Sequence, residues 1–342
     1  YIDPPFNTGS DFDYVDHFQD STWLTLMNDR LRLARDLLND SGTLYLHLDP
    51  RADYYGRMLL DDIFRKENYL NEVIWRYEGP QSPSPIRFAS KHDTILKYAK
   101  NVSKTVEGEL WFYEKVPVKE SSFKKDEKGR WYYTLPKGNY TEESLAKLEA
   151  EERIYETSSG KIRIKYFVEL TPDGYFLKKK QLPDVWDNIA SLGLVSSSIE
   201  KMGFNTQKPE DLLKRVILAS SNPENIVLDF FLGSGTTTAV AHKLGRKWIG
   251  VEMGEHFYDV ILPRMKKVLA YDKSGISKEV KEYQGGGFFK YYELEQYEET
   301  LANCKYEDGD LFTSPSKTPY QEYVFMKDEK MLKALEIDYE NN

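Results

Sequence analysis

The chain has 342 residues, with 47 lysines and arginines against 56 acidic residues (net −9), 40% hydrophobic and 14% aromatic side chains. This is enough apolar material for a sizeable core and more aromatic than disordered chains carry, and no apolar run reaches the ~18 residues of a membrane span. The lone cysteine, Cys304, excludes an internal disulfide and fits a reducing, cytoplasmic setting, while five scattered histidines with no H-x-x-x-H pair argue against a zinc enzyme.

Tyr1-Ile2-Asp3 reads as the end of a buried strand whose beginning is missing, and so as part of a longer chain. After a polar turn at Asn7-Thr8-Gly9, apolar residues at Trp23, Leu24, Met27, Leu31, Ala34, Leu37 and Leu38 predict a helix over 23–39, capped by Ser21 or Thr22. A buried strand over 43–48, a helix over 54–64 and strands over 72–75 and 93–98 follow, the last two bracketing a Pro/Ser-rich loop at 80–85. The stretch 101–182 is rich in Lys, Glu, Tyr and Gly, has no strong period beyond a short helix at 142–151, and reads as an inserted module. Pro209-Glu210-Asp211 starts a helix. Strands over 226–231 and 247–252 then flank a helix over 236–244, and 271–342 is an acidic, Tyr-rich extension interrupted by Gly285-Gly286-Gly287. Strands alternating with helices define an α/β class.

The charge is uneven. Residues 76–182 hold 21 basic against 16 acidic side chains, and 271–342 hold 9 against 16. A basic middle in an acidic chain fits one region that meets a polyanion, and fits equally well lysines that only solvate loop faces, such as Lys124-Lys125 and Lys178-Lys179-Lys180.

Two short segments carry chemistry. In the first, Asp229-Phe230-Phe231-Leu232-Gly233-Ser234-Gly235-Thr236 joins strand to helix, and Glu252 ends the next strand. Glycine lets backbone approach an adenosine-type ligand, helix-start amides face it, and an acid at the second strand end can accept from both ribose hydroxyls. Thr238 stands where the dinucleotide fingerprint has its third glycine, which favours S-adenosylmethionine, a ligand with no pyrophosphate. In the second, Asp3-Pro4-Pro5-Phe6, paired prolines remove two N–H donors and leave the neighbouring carbonyls uncommitted. A carboxylate and a fixed carbonyl can grip an amino group and localise its lone pair, and Phe6 can stack on an extruded base. An ordinary proline turn and an ordinary βαβ turn are the plain alternatives.

Together these residues resemble the β-type adenine-N6 DNA methyltransferases. Asp3-Pro4-Pro5-Phe6 matches the family's D-P-P-[YF] motif and Phe231-Leu232-Gly233-Ser234-Gly235 its F-x-G-x-G motif. Thr206-Gln207-Lys208-Pro209 matches the segment that helps hold the methionine part of the cofactor. The string 3–9 and the stretch 285–294 look like the modification subunits of type III restriction–modification systems. Phe6 replaces the commoner Tyr, and Asp rather than Ser at position 3 favours adenine N6 over cytosine N4.

The resemblance implies a doubly wound, Rossmann-like methyltransferase sheet with permuted motif order. Its domains are a catalytic half (1–100), a target-recognition insert (101–182), a cofactor half (183–270) and an extension (271–342). Asp3, Pro4, Pro5 and Phe6 are the implied catalytic residues. Thr206, Lys208, Asp229, Phe231, Gly233, Ser234, Gly235, Thr236 and Glu252 are the implied contacts of S-adenosylmethionine. Double-stranded DNA is the implied substrate, with a second copy and a restriction subunit as partners. Cytosine-N4 methylation, RNA methylation and a non-catalytic DNA-binding subunit stay open as alternatives.

Overall fold

The structure, a computed structural model, describes residues 1–7, 16, 18–79, 84–86, 88–106, 108–120, 123–192 and 199–294. Thr8, Gly9, His17, Cys304, part of the 80–85 loop and the tail from 295 lie outside them. Two compact units result, Glu109–Pro183 and the chain that flanks it.

The flanking unit begins with α1 (Asp20–Leu37), β1 (Thr43–Leu48), α2 (Asp53–Phe64), β2 (Tyr69–Arg76) and β3 (His92–Ala99). α1 starts earlier than its apolar spacing suggests: Gln19 is its N-cap, so Ser21 and Thr22 sit inside the first turn and cap nothing. Alternation along β1 fixes the layers. Leu44, Leu46 and Leu48 point to one face with Trp23, Met27 and Leu31 of α1 and Leu60 and Ile63 of α2, whereas Tyr45 points to the other. β3 runs antiparallel to both β1 and β2.

The insert holds β4 (Trp111–Pro117), β5 (Lys124–Lys125), β6 (Trp131–Pro136), α3 (Glu142–Ala150), β7 (Ile154–Glu156), β8 (Ile162–Leu170) and β9 (Tyr175–Gln181). Its strands form one antiparallel sheet in the order β4-β9-β8-β6-β5, with β7 pairing β8. A sheet stands where the sequence announced only a helix. Trp131 and Phe123 pack edge-on against buried Phe176, and Tyr133 stacks on Tyr166, so these aromatics form the insert's own core.

The flanking unit resumes with β10 (Val185–Trp186), parallel to β2, then α4 (Glu210–Leu218), β11 (Ile226–Asp229), α5 (Thr236–Lys243), β12 (Lys247–Gly250), a π turn (Phe257–Ile261) and α6 (Leu262–Leu269). β11 and β12 pair in parallel. Leu212, Leu213 and Val216 of α4 and Val240 and Ala241 of α5 cover the face of Tyr45, so helices bury both faces of a mixed α/β sheet. Tyr1-Ile2 closes the gap between the two sheets: Tyr1 N donates to Leu228 O at 3.2 Å, and Ile2 exchanges 3.0 Å bonds with Tyr45 and His47. Tyr1 packs into one core cluster and Ile2 into the other, as consecutive strand residues must.

Candidate functional site

The chain leaves the sheet at Asp3, next to the strand that ends at Asp229. Prolines at 4 and 5 cannot extend a ladder, so the backbone turns away there. Lys208 Nζ forms an ion pair with Asp3 Oδ2, while Asp3 Oδ1 is buried and has no hydrogen-bond partner among the described residues. Of the two proline carbonyls expected to be uncommitted, Pro5 O accepts from Trp23 Nε1 at 2.7 Å, since α1 packs directly beneath the turn. Among the described residues the Pro4 carbonyl accepts no hydrogen bond. Phe6 is half-buried, with its ring centroid 6.0 Å from that of His47. It borders a hollow of about 120 Å³ lined also by Asn7, Trp23, Arg51 and Tyr54. Asn7 adopts φ 58°, its N–H donates to Asp16 at 2.8 Å, and its side chain accepts from Phe18 N at 2.7 Å.

The glycine turn is tied inward at most of its polar atoms. Gly233 (φ 54°) and Gly235 (φ 76°) both need the left-handed region, and a Cβ on Gly233 would meet nothing closer than Phe204 Cε1 at 3.6 Å. Asp229 accepts from Phe231 N at 3.0 Å and from Thr237 Oγ1 at 2.6 Å, and burial pushes its carboxyl up to about 6. Thr236 Oγ1 contacts Ser234 Oγ at 3.0 Å, accepts from Arg264 at 2.8 Å and donates to Lys208 O at 3.2 Å. Glu252 accepts from Gly233 N at 2.8 Å through one oxygen and from Met253 N and Gly254 N at 2.9 Å through the other. Burial alone would raise its pKa, but these bonds and His256 hold it below the ordinary glutamate value. A carboxylate offers about four lone pairs, so Glu252 keeps limited capacity for ribose hydroxyls.

Thus Asp3, Phe6, Lys208 and the glycine turn share one end of the sheet. Lys208 reaches the acid with its side chain and the turn with its carbonyl. Thr206 is half-buried nearby in sequence, and Phe231 packs on the same cluster as Phe6.

Two networks escaped the sequence reading. Glu210, 1% exposed, accepts from Lys243 (2.9 and 3.0 Å), Arg264 (3.0 Å) and Ile276 N (3.1 Å), and Arg264 passes this support to Ser234 O and Thr236. In sequence Glu210 looks like an ordinary acid in a first helical turn. The second is a buried relay: Tyr1 OH bonds His47 Nδ1 at 2.7 Å, His47 Nε2 meets Asp93 at 3.0 Å, and Tyr77 OH donates to Asp93 at 3.0 Å. Burial would raise Asp93, but the bond and charge of His47 outweigh it and hold the carboxyl below its usual range. A histidine inside the apolar run Thr43–Leu48 was the available signal. Asp49, by contrast, accepts from Arg51 and starts α2 as a turn residue.

A sheet covered on both faces, with a glycine turn and an acid–proline turn at adjacent strand ends, is the frame of an enzyme that brings an adenosine-type ligand to a second substrate. The chain belongs to the DNA methylase family of N6 and N4 methyltransferases, whose model matches residues 1–263. This is a family of S-adenosylmethionine-dependent enzymes. The chain is 30% identical to the probable type III restriction-modification enzyme HindVI Mod subunit of Haemophilus influenzae, over 88% of this chain and 51% of that one. It is 25% identical to the DNA adenine methyltransferase YhdJ of Escherichia coli, over 88% and 86%. A solved M1.HpyAVI–SAM complex aligns with 72% of this chain and 85% of its own at 18% identity and a TM-score of 0.41. The chain spans about half the length of the Mod-subunit relatives it matches. Among the described residues no helix is long and apolar enough to cross a membrane.

Proposed function

We propose that the chain transfers a methyl group from S-adenosylmethionine to the N6 amine of adenine in duplex DNA, in the modification role of a restriction–modification system. One observation carries this reading: among the described residues, Asp3 Oδ1 is a buried acceptor without a donor, and the carbonyl of the following residue, Pro4, accepts no hydrogen bond either. An amino group has two N–H bonds to give, and two acceptors in one turn satisfy both. Drawing those hydrogens to Asp3 and Pro4 O localises the nitrogen lone pair that the purine ring otherwise delocalises.

The residues present fit the cofactor. Gly233 and Gly235 hold the backbone in the left-handed turn, α5 starts directly after it, and Glu252 retains some accepting capacity. When bound, S-adenosylmethionine supplies an electrophilic sulfonium methyl. With its two hydrogens held by Asp3 and Pro4 O, the amine nitrogen would present its lone pair to that methyl, and the proton it then sheds would pass the acceptor pair to water. Gly233, Gly235, Ser234, Thr236 and Glu252, with Thr206, are the residues that would hold the cofactor, and Phe6 would stack on the base. Asp229 and Phe231 shape the turn. We read the motif order as permuted and Glu109–Pro183 as the target-recognition domain. On the likeness to Mod subunits, a second copy and a restriction subunit are the proposed partners.

The experiment is incorporation of labelled methyl from the cofactor into duplex DNA, followed by digestion to nucleosides. N6-methyladenine is expected, with a loss on the order of 10²–10³-fold in Asp3→Ala. N4-methylcytosine or methylated RNA would move the assignment within the family. Undiminished incorporation in Asp3→Ala would overturn the site, and a chain that binds no cofactor by calorimetry would be the non-catalytic subunit.

A further inference from the structure

We infer that Lys208 is a positioning residue for Asp3, orienting the carboxylate that receives the amine, and is not a ligand of the cofactor. The inference rests on the methyltransferase reading above. By resemblance alone, the segment around Lys208 would face the methionine part of the cofactor. In the structure its ammonium pairs with Asp3 Oδ2, the two side chains only 12% and 18% exposed. The same ammonium stands 5.3 Å from the centroid of the Phe6 ring, where a cation is held by the aromatic face.

The pairing has a geometric consequence. The terminal torsion of an aspartate is broad, so a free carboxylate samples many orientations. A cation fixed on one oxygen sets the carboxylate plane and leaves the other oxygen, Oδ1, as an acceptor without a partner among the described residues. Lys208 is itself fixed. Its carbonyl accepts from Thr236 Oγ1, which Arg264 anchors to buried Glu210. The residue therefore ties the orientation of the acid to the position of the glycine turn. Its charge also offsets the crowd of acids there: Asp3 and Asp229 repel each other, and Lys208 helps keep Asp93 ionised.

The test uses the full chain with Lys208→Met, Lys208→Arg, Asp3→Asn and the Asp3→Asn/Lys208→Met double variant. Methyl transfer to duplex DNA is measured at saturating cofactor, and cofactor affinity by calorimetry. Misplacing an acceptor by a fraction of an ångström to an ångström costs on the order of 10²-fold, so Lys208→Met should lose about that in kcat. Its cofactor Kd should stay within about threefold of wild type, and Lys208→Arg should recover most of the loss. Because the two residues act as one unit, Lys208→Met should add little to Asp3→Asn. If the methionine variant does not fold, Lys208→Gln, which keeps a donor without the charge, should show the same split. A variant that keeps kcat, or that loses cofactor affinity about tenfold with kcat intact, overturns the role given to Lys208. A wild-type chain that transfers no methyl overturns instead the function on which it rests.

Discussion

Glu210 shows how much of this site depends on groups that never touch a ligand. It is enclosed by Lys243, Arg264 and the Ile276 amide, and through Arg264 it holds the glycine turn. Glu210→Ala would strip buried Arg264 of the Glu210 carboxylate and leave buried Lys243 with the Asp272 carboxylate alone. Breaking such a network typically costs about 3–5 kcal/mol, which urea denaturation should register, whereas a loss below about 1 kcal/mol would mean that Asp272 and water suffice. Glu200 makes the opposite kind of contribution. Burial and the neighbouring Glu210 raise its carboxyl from 4.5 to about 7. The folded state then binds this proton more tightly than the unfolded chain does, so the stability Glu200 contributes is fully present below pH 4.5 and is lost as pH rises from there through about 7. Glu200→Gln, which keeps the acceptor for the Glu210 amide, should flatten that decline, leaving pH 4.5 stability unchanged and raising the denaturation midpoint at pH 8. Asp3 and Gly233 were legible in sequence because unusual residue types mark unusual backbone. Glu210 was not, because its partners lie 33 and 54 residues away and nothing local distinguishes it.

Helices and strands were readable where one period dominated. β1 occupies the span read as a buried strand, and α2, α4 and α5 begin within a residue or so of theirs. The insert's sheet was not readable. Along β8 only Ile164 and Val168 are buried, and along β9 only Phe176, so no clean apolar face alternates with a polar one. Lysine ammonium groups lie over aromatic rings, Lys178 over Tyr133 at 4.5 Å and Lys165 over Tyr132 at 5.4 Å. α1 shows what an element can do beyond packing. Its Trp23 is 2% exposed and donates to Pro5 O, clamping the acid–proline turn from below. Trp23→Phe keeps most of the apolar burial and deletes that donor. We expect about 1–2 kcal/mol lost in thermal denaturation, and a several-fold drop in methyl transfer as Pro5 and its neighbour Pro4 loosen. A stability loss without any change in transfer would show that the clamp is only structural.

At the scale of the whole molecule, the basic middle contracts once its boundaries are drawn. Glu109–Pro183 carries 15 basic and 13 acidic residues, a net of +2, so about half of the excess seen across 76–182 lies outside the insert. Many of the insert's cations are also spent on ion pairs: Arg130 on Asp126 and Glu152, Lys128 on Glu152, Lys115 on Asp173 and Lys180 on Glu114. Lys178 and Lys179 differ, lying over Tyr133 and over Trp111, which is 51% exposed. If the insert meets the phosphate backbone, these two lysines can release counterions, whereas Arg130 is already neutralised by its own carboxylates. Each phosphate contact contributes a slope of about −0.9 to log Kobs against log salt. The Lys178→Ala/Lys179→Ala variant should therefore flatten that slope by about 1.8 in a duplex-binding titration across salt concentrations, and Arg130→Ala should leave it nearly unchanged. An equal flattening in both variants would mean that the ion pairs open on binding, and an unchanged slope in the double variant would place the DNA-binding charge outside β9.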